Sequence, residues 1–212
     1  MITFVKSKLK TFVGGIHSRE DGKILTQDKK ESPLLFPKTV YLFMSQHIGA
    51  PASPIVKKGD FVKKGQLVGT AQGFVSANVH ASISGKVADV VPWPHPITGV
   101  RSPAVVIENC GEDSWIEGMS VASDIDLISP DEIRLLIQSA GIVGLGGATF
   151  PTHVKLTPPK DKIIDTVVMN GAECEPYLTC DYRLMLEKPH EIIHGLTLVI
   201  KCIRCKKAHI SN

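Results

Sequence analysis

No apolar stretch in this chain approaches the about 18 residues that a membrane-crossing helix requires. The opening residues, Met1-Ile2-Thr3-Phe4-Val5-Lys6, lack the continuous apolar core of a secretory signal. The expectation is a cytosolic protein whose link to any membrane runs through a partner. No run of Lys and Arg exceeds two residues, and a net charge of +3 over 212 residues is too mild to argue for nucleic acid. Cysteine is also scarce. The five present are an odd number, which in a cytosolic setting argues against a disulfide framework. Cys202-Ile203-Arg204-Cys205 is a lone CxxC. A zinc site needs a second pair of ligands, and an iron–sulfur site needs a longer cysteine run. These thiols are therefore expected to be ordinary side chains at a helix end, and no metal site is expected.

What is present is an ordinary globular composition, 43% hydrophobic and 21% charged, at a length that suits one large domain or two smaller ones. Two textures divide the chain. Residues 1–110 are rich in Gly, Pro, Val and Ser. Short apolar runs stand between turn signals, at Thr39–Met44, Phe61–Val62, Leu67–Val68, Gly85–Val91 and Ala104–Ile107. Many short strands of this kind predict a small all-β unit. The segment Glu108–Asp126 is polar and turn-prone, and serves as the junction.

From residue 126 to 212 the spacing changes. Ser129-Pro130-Asp131-Glu132 carries a cap, a proline suited to the first helical position and a capping-box glutamate. Ile133, Leu136, Ile137 and Ala140 follow on one helical face, and Gly141 ends it. A glycine-rich loop comes next, then Ile163–Met169 as a buried strand. A helix is expected from about His190 to Lys201, and a strand at Ala208-His209-Ile210. This order suggests an α/β domain, and the sheet would need further strands and covering layers to be complete. The fold class is thus α+β in two domains.

The run Ile55-Val56-Lys57-Lys58-Gly59-Asp60-Phe61-Val62-Lys63-Lys64-Gly65-Gln66-Leu67-Val68-Gly69 repeats a turn-and-strand unit, with Gly59 and Gly65 placed for positive-φ turns. With Val79–Val87 it resembles the barrel-sandwich hybrid of biotinyl and lipoyl domains. Those carriers need a lysine on the intervening hairpin. Thr70–Gly85 contains none, which removes the acyl-carrier function and leaves a structural or docking module.

Residues 144–155 read Gly-Leu-Gly-Gly-Ala-Thr-Phe-Pro-Thr-His-Val-Lys. Three glycines within four positions let backbone amides approach an anion, and Lys155 can add a charge to a phosphate. This is neither a Walker loop nor a GxGxxG after a strand. About 15 residues on, the strand Val167–Asn170 runs into Gly171-Ala172-Glu173-Cys174-Glu175-Pro176. Ligands of α/β sheets bind beyond the carboxyl ends of strands, where this acidic turn sits. Asn170, Glu173 and Glu175 could meet ribityl or ribose hydroxyls or a nicotinamide. His17, His47 and His80 have no carboxylate or histidine partner at metal-ligand spacing, so surface or turn positions are expected. Trp93 between Pro92 and Pro94 is expected as a loop anchor.

The glycine loop and the acidic turn together resemble the FMN- and NADH-holding loops of the flavoprotein subunit of respiratory complex I. With Thr11–His17 and Ser45–Pro51 added, the whole chain resembles the RnfC family, which belongs to ion-translocating electron-transport complexes. The resemblance implies a barrel-sandwich hybrid over 1–115 and the first part of a Rossmann-like FMN/NADH-binding domain over 126–212. It implies a peripheral subunit on the cytoplasmic side of the membrane, facing NAD. Its complex moves electrons between ferredoxin and NAD and couples them to Na⁺ or H⁺ transport. By this resemblance Gly144, Gly146, Gly147 and Lys155 hold flavin or nucleotide phosphates. Asn170, Glu173 and Glu175 contact the flavin and the dinucleotide, NAD(H).

Two positions depart from the complex I pattern: Thr149 replaces a glycine and Ala172 replaces an aspartate. The family also continues into segments bearing [4Fe–4S] clusters that these residues lack. The expectation is a truncated piece that does not complete electron transfer by itself. The alternative is a non-catalytic docking or scaffold module with a vestigial loop.

Overall fold

Short apolar runs between glycine turns produce short strands, as a computed structural model of the chain shows. It describes Ile2–Thr3 and residues 22–32, 35–118, 125–145 and 148–211. The Thr11–His17 motif and the glycines at 146 and 147 lie outside the described residues. The strands are β1 (Ile2–Thr3), β2 (Thr39–Phe43), β3 (Ser53–Pro54), β4 (Phe61–Val62), β5 (Leu67–Thr70), β6 (Val79–His80), β7 (Gly85–Pro94), β8 (Arg101–Asn109), β9 (Thr166–Asn170) and β10 (Lys207–Ser211). The helices are α1 (Pro130–Ser139), α2 (Thr152–Lys155), α3 (Cys180–Glu187) and α4 (Pro189–Ile203). Packing groups them into two compact units. One is Leu34–Pro158, and the other combines Met1–Pro33 with Pro159–Asn212.

The unit Leu34–Pro158 holds two antiparallel sheets, ordered β2-β8-β7-β4 and β3-β5-β6. Gly59 and Gly65 take φ of 97° and 83°, as their turns require. The inner faces of both sheets supply one core, including Leu42, Met44, Val62, Val68, Val87 and Ile107. In β8, the strand between β2 and β7, the four residues Ala104–Ile107 are buried in succession, so both of its faces are covered there. Trp93 lies within β7 rather than in a loop. Its ring stacks on Tyr41 of β2 at 4.6 Å, so it ties together the two strands that flank β8.

Helix α1 begins as its sequence dictates. The Ser129 hydroxyl accepts from the Glu132 amide at 3.2 Å, and the Glu132 carboxylate accepts from the Ser129 amide at 2.8 Å. Gly141 follows the helix with φ of 67°. The apolar face is only partly used: Ile133 is buried, but Leu136 is 55% exposed. Helices α1 and α2 also pack with the β-sheets. Asn78 donates through Nδ2 to the Ser139 carbonyl at 3.1 Å, and His153 Nε2 pairs with the Phe74 carbonyl at 2.9 Å. The break in packing after residue 158 therefore falls later than the break in sequence texture.

The second unit contains a parallel sheet ordered β1-β10-β9, with α3 and α4. Strand β9 begins at Thr166, three residues after the expected Ile163, and is not fully buried. Val168 is 64% exposed, on the face it shares with exposed Asn170, while Val167 and Met169 on the other face are half-buried. Helix α4 buries Leu196 and Cys202 and ends at Arg204, whose φ is 58°. Cys205 follows, buried, with its thiol 3.2 Å from the Lys207 carbonyl, and no disulfide joins any of the five cysteines.

Candidate functional site

The glycine loop is closed at its neck by backbone pairing. Val143 and Pro151 form an antiparallel bridge. The Gly144 amide donates to the Phe150 carbonyl at 3.0 Å, and Thr152 donates to Ile142 at 3.0 Å. Pro151 then leads into α2, which carries Lys155 at its end. The lysine side chain folds back over the neck. A Cβ placed on Gly144 would lie 2.9 Å from Lys155 Nζ, so the glycine leaves room for the ammonium to come close to the backbone. The structure thus brings Gly144 and Lys155 together. Thr149 takes φ of 50°, a glycine-like conformation, with its hydroxyl bonded to the Ala148 carbonyl at 2.7 Å. The difference in residue type at this position therefore leaves the backbone in the left-handed region that suits glycine.

Leu145, Ala148 and Thr149 of the loop line clefts shared with Ser45–Ile48 and with residues 77–80 and 82 of the barrel. His47 is buried there rather than at the surface. Its Nε2 accepts from the Ala77 amide at 3.1 Å, which leaves the Nδ1 proton for the Ile48 carbonyl at 3.1 Å. It pins two segments whose backbone groups would otherwise lack partners. His80 is half-buried, and burial holds its pKa below the ordinary imidazole value.

Two clefts flank the loop. One, of about 360 Å³, is lined by Gln46, Asn78 and His80 from the barrel and by Val143, Leu145 and Thr149 from the loop. The other, of about 330 Å³, lies between His95 and Thr98 on the barrel and Ala148 and Thr149. Both volumes suit a small organic ligand.

The acidic turn belongs to the other unit. Asn170 ends β9, and its Oδ1 accepts from the Ala172 amide at 3.0 Å, closing a tight turn. The Gly171 amide donates to the Ser211 carbonyl at 2.6 Å, tying the turn to β10. Glu173 reaches forward to α3. Its Oε1 accepts from the amides of Asp181 and Tyr182 at 2.9 and 3.0 Å. A carboxylate at a helix start satisfies two orphan amides and complements the helix dipole. Glu175 is exposed, and among the described residues its carboxylate has no partner.

Glu173, Cys180 and Asp181 bring ligand atoms within 4.8 Å of one another. Helix capping accounts for that approach without a cation. Burial, then the Glu173 and Asp181 charges, push the Cys180 thiol up. Burial, then the Glu173 charge, push the Asp181 carboxyl up. These directions make Cys180 a poor nucleophile. Sequence reasoning missed the capping role of Glu173, because its partners lie eight and nine residues away, beyond the spacing of a local capping box.

Two family models match the chain. The RnfC barrel sandwich hybrid domain covers residues 10–112, and the Nuo51 FMN-binding domain covers residues 137–211. The chain belongs to the RnfC family. It is 48% identical, over 95% of its length, to a subunit of the proton-translocating ferredoxin:NAD(+) oxidoreductase complex of Clostridium ljungdahlii. It is 48% identical, over 94% of its length, to a subunit of the Na(+)-translocating ferredoxin:NAD(+) oxidoreductase complex of Acetobacterium woodii. A subunit of the ion-translocating oxidoreductase complex of Rhodobacter capsulatus is 42% identical over 93% of the chain. The chain spans 44%, 45% and 38% of these relatives, less than half of each. In this RnfC-family chain, no helix among the described residues is long and apolar enough to cross a membrane.

Proposed function

We propose that this chain forms part of the NAD-facing subunit of an Rnf-type complex, on the cytoplasmic side of the membrane. The complex transfers electrons between ferredoxin and NAD and couples them to Na⁺ or H⁺ transport. Its partners are the membrane subunits of that complex, and ferredoxin through them. FMN and NAD(H) are the cofactors this part serves. The [4Fe–4S] clusters belong to the portion of the relatives beyond the span of this chain.

The observation that carries this reading is the ammonium of Lys155 held at the bare Cα of Gly144. A cation beside exposed loop backbone is what a phosphate monoester or a pyrophosphate requires. The donor set fits FMN on that ground. Bound FMN supplies the conversion between two-electron and one-electron transfer. Gly144, Gly146, Gly147 and Lys155 hold a flavin or nucleotide phosphate. Asn170, Glu173 and Glu175 contact the flavin and the dinucleotide. Of these three, Glu175 is the carboxylate left over to accept a ligand hydroxyl.

The test is to purify the protein with its partner subunits and record its visible spectrum with and without NADH. The expected result is flavin absorbance that NADH bleaches, and flavin lost from the Lys155→Ala variant. A preparation with all subunits, no flavin and no NADH-dependent bleaching would sink the proposal.

A further inference from the structure

The larger cleft beside the glycine loop has a chemistry of its own. Its walls are apolar, with Leu42 and Val79 from the barrel facing Val143 and Leu145 from the loop. Asn78 is fully committed: its Oδ1 accepts from Ala71 at 2.9 Å while its Nδ2 holds the end of α1. Gly141 keeps the space beside it open. A Cβ there would lie 2.3 Å from the Asn78 carbonyl oxygen and 3.4 Å from His80 Nδ1.

Beside the rim hydroxyl of Ser82, His80 and Gln46 offer polar atoms to the slot. Among the described residues, neither ring nitrogen of His80 has a hydrogen-bond partner. No unpartnered side-chain nitrogen or oxygen there is sealed from solvent, so the ring reaches the open cleft. Gln46 spends its amide nitrogen on the Phe43 carbonyl at 3.0 Å, which leaves its side-chain oxygen as an acceptor. Desolvation favours the neutral imidazole, which offers one donor and one acceptor. A slot with apolar walls and an uncharged donor–acceptor edge disfavours a charged group. It suits a flat heteroaromatic ring with amide-like edges.

We propose that the barrel completes the nucleotide site: the slot between Gln46 and His80 and the glycine loop takes an uncharged heteroaromatic ring of the same ligand whose phosphate Lys155 holds. The inference rests on the phosphate-binding reading of the loop. It gives the barrel-sandwich domain a binding role in place of a purely structural one. His80 and Gln46 are positioning and specificity residues here. Two ligands carry such a ring beside a phosphate, FMN and NADH, and they are assayed separately.

The experiment uses the protein purified with its partner subunits, stripped of flavin, and titrated with FMN and with NADH. The variants are Ser82→Trp, His80→Leu, His80→Gln and Lys155→Ala. Ser82 is an exposed rim residue of the slot, so tryptophan there obstructs the opening without entering the core. Ser82→Trp and His80→Leu are expected to weaken one ligand about tenfold, the order of one lost buried hydrogen bond or a blocked contact. His80→Gln restores most of the affinity. Loss in the FMN arm assigns the slot to the flavin ring, and loss in the NADH arm assigns it to a dinucleotide ring. If Lys155→Ala weakens binding while Ser82→Trp leaves both affinities unchanged, the slot proposal is overturned and the loop reading stands. If no variant changes either affinity, both fail.

Discussion

Lys155 Nζ stands beside the point where a side chain on residue 144 would begin, so the glycine and the lysine of the loop are close neighbours. A methyl on residue 144 would sit 2.9 Å from the ammonium, tighter than ordinary contact. The ammonium ends a flexible chain and can move away at small cost. Gly144→Ala is therefore expected to leave the melting temperature within a few degrees of wild type while reducing flavin retention. Calorimetry alongside the flavin-to-protein ratio checks this. A large fall in stability with flavin retained would contradict it.

Gly141 makes the opposite case. Its φ of 67° lies in the left-handed region, and a Cβ would meet the Asn78 carbonyl at 2.3 Å. Backbone cannot yield as a lysine tip can. Gly141→Ala is expected to destabilise this unit by about 2 kcal/mol or more, since the left-handed conformation alone costs roughly 1–2 kcal/mol. Urea titration followed by Trp93 and Trp115 fluorescence would measure it.

Ser129 and Glu132 cap α1 reciprocally. Ser129→Ala is expected to cost about 1 kcal/mol. Thr at the same position should retain most of the stability, because its hydroxyl also accepts the Glu132 amide. Equal loss in the Ala and Thr variants would mean that the cap contributes little.

The Arg183 guanidinium donates to Glu187 through Nε at 2.8 Å and holds its carboxyl below the ordinary value of 4.5. The unfolded chain therefore binds this proton more readily than the folded one. The resulting stability is complete above about pH 4.5 and is lost as pH falls through the lower folded value. Thermal melts from pH 7 to pH 3 should show this acid slope in the wild type. In Glu187→Gln the slope should be shallower.

Much of the barrel was legible along the chain. Phe61–Val62 is a strand with the expected bounds, and Gly59 and Gly65 have the expected positive φ, because hairpin turns depend on neighbouring residues. The start of α1 was legible for the same reason. By contrast, Trp93 extends a strand through its pairing with Ser102, and its ring stack on Tyr41 joins residues far apart in sequence. Val168 is exposed because it points to the less covered face of β9, which packing between distant segments sets. Of the site, Gly144 and Lys155 could be named from residue type and spacing. That His80 and Gln46 share a cleft with the loop could not, since their positions precede it by more than sixty residues.

Local chemistry within a few residues of itself — turns, caps, short apolar runs and the glycine loop — was thus determined by the sequence alone. Tertiary structure decided which of those pieces face each other. It turned Lys155 back onto Gly144, committed Glu173 to the start of α3 and laid the loop over a barrel cleft containing His80. The physical reason is that burial and hydrogen-bond satisfaction are settled between distant segments. A residue's type sets what it can bind, and its neighbours in space set whether it is still free to do so.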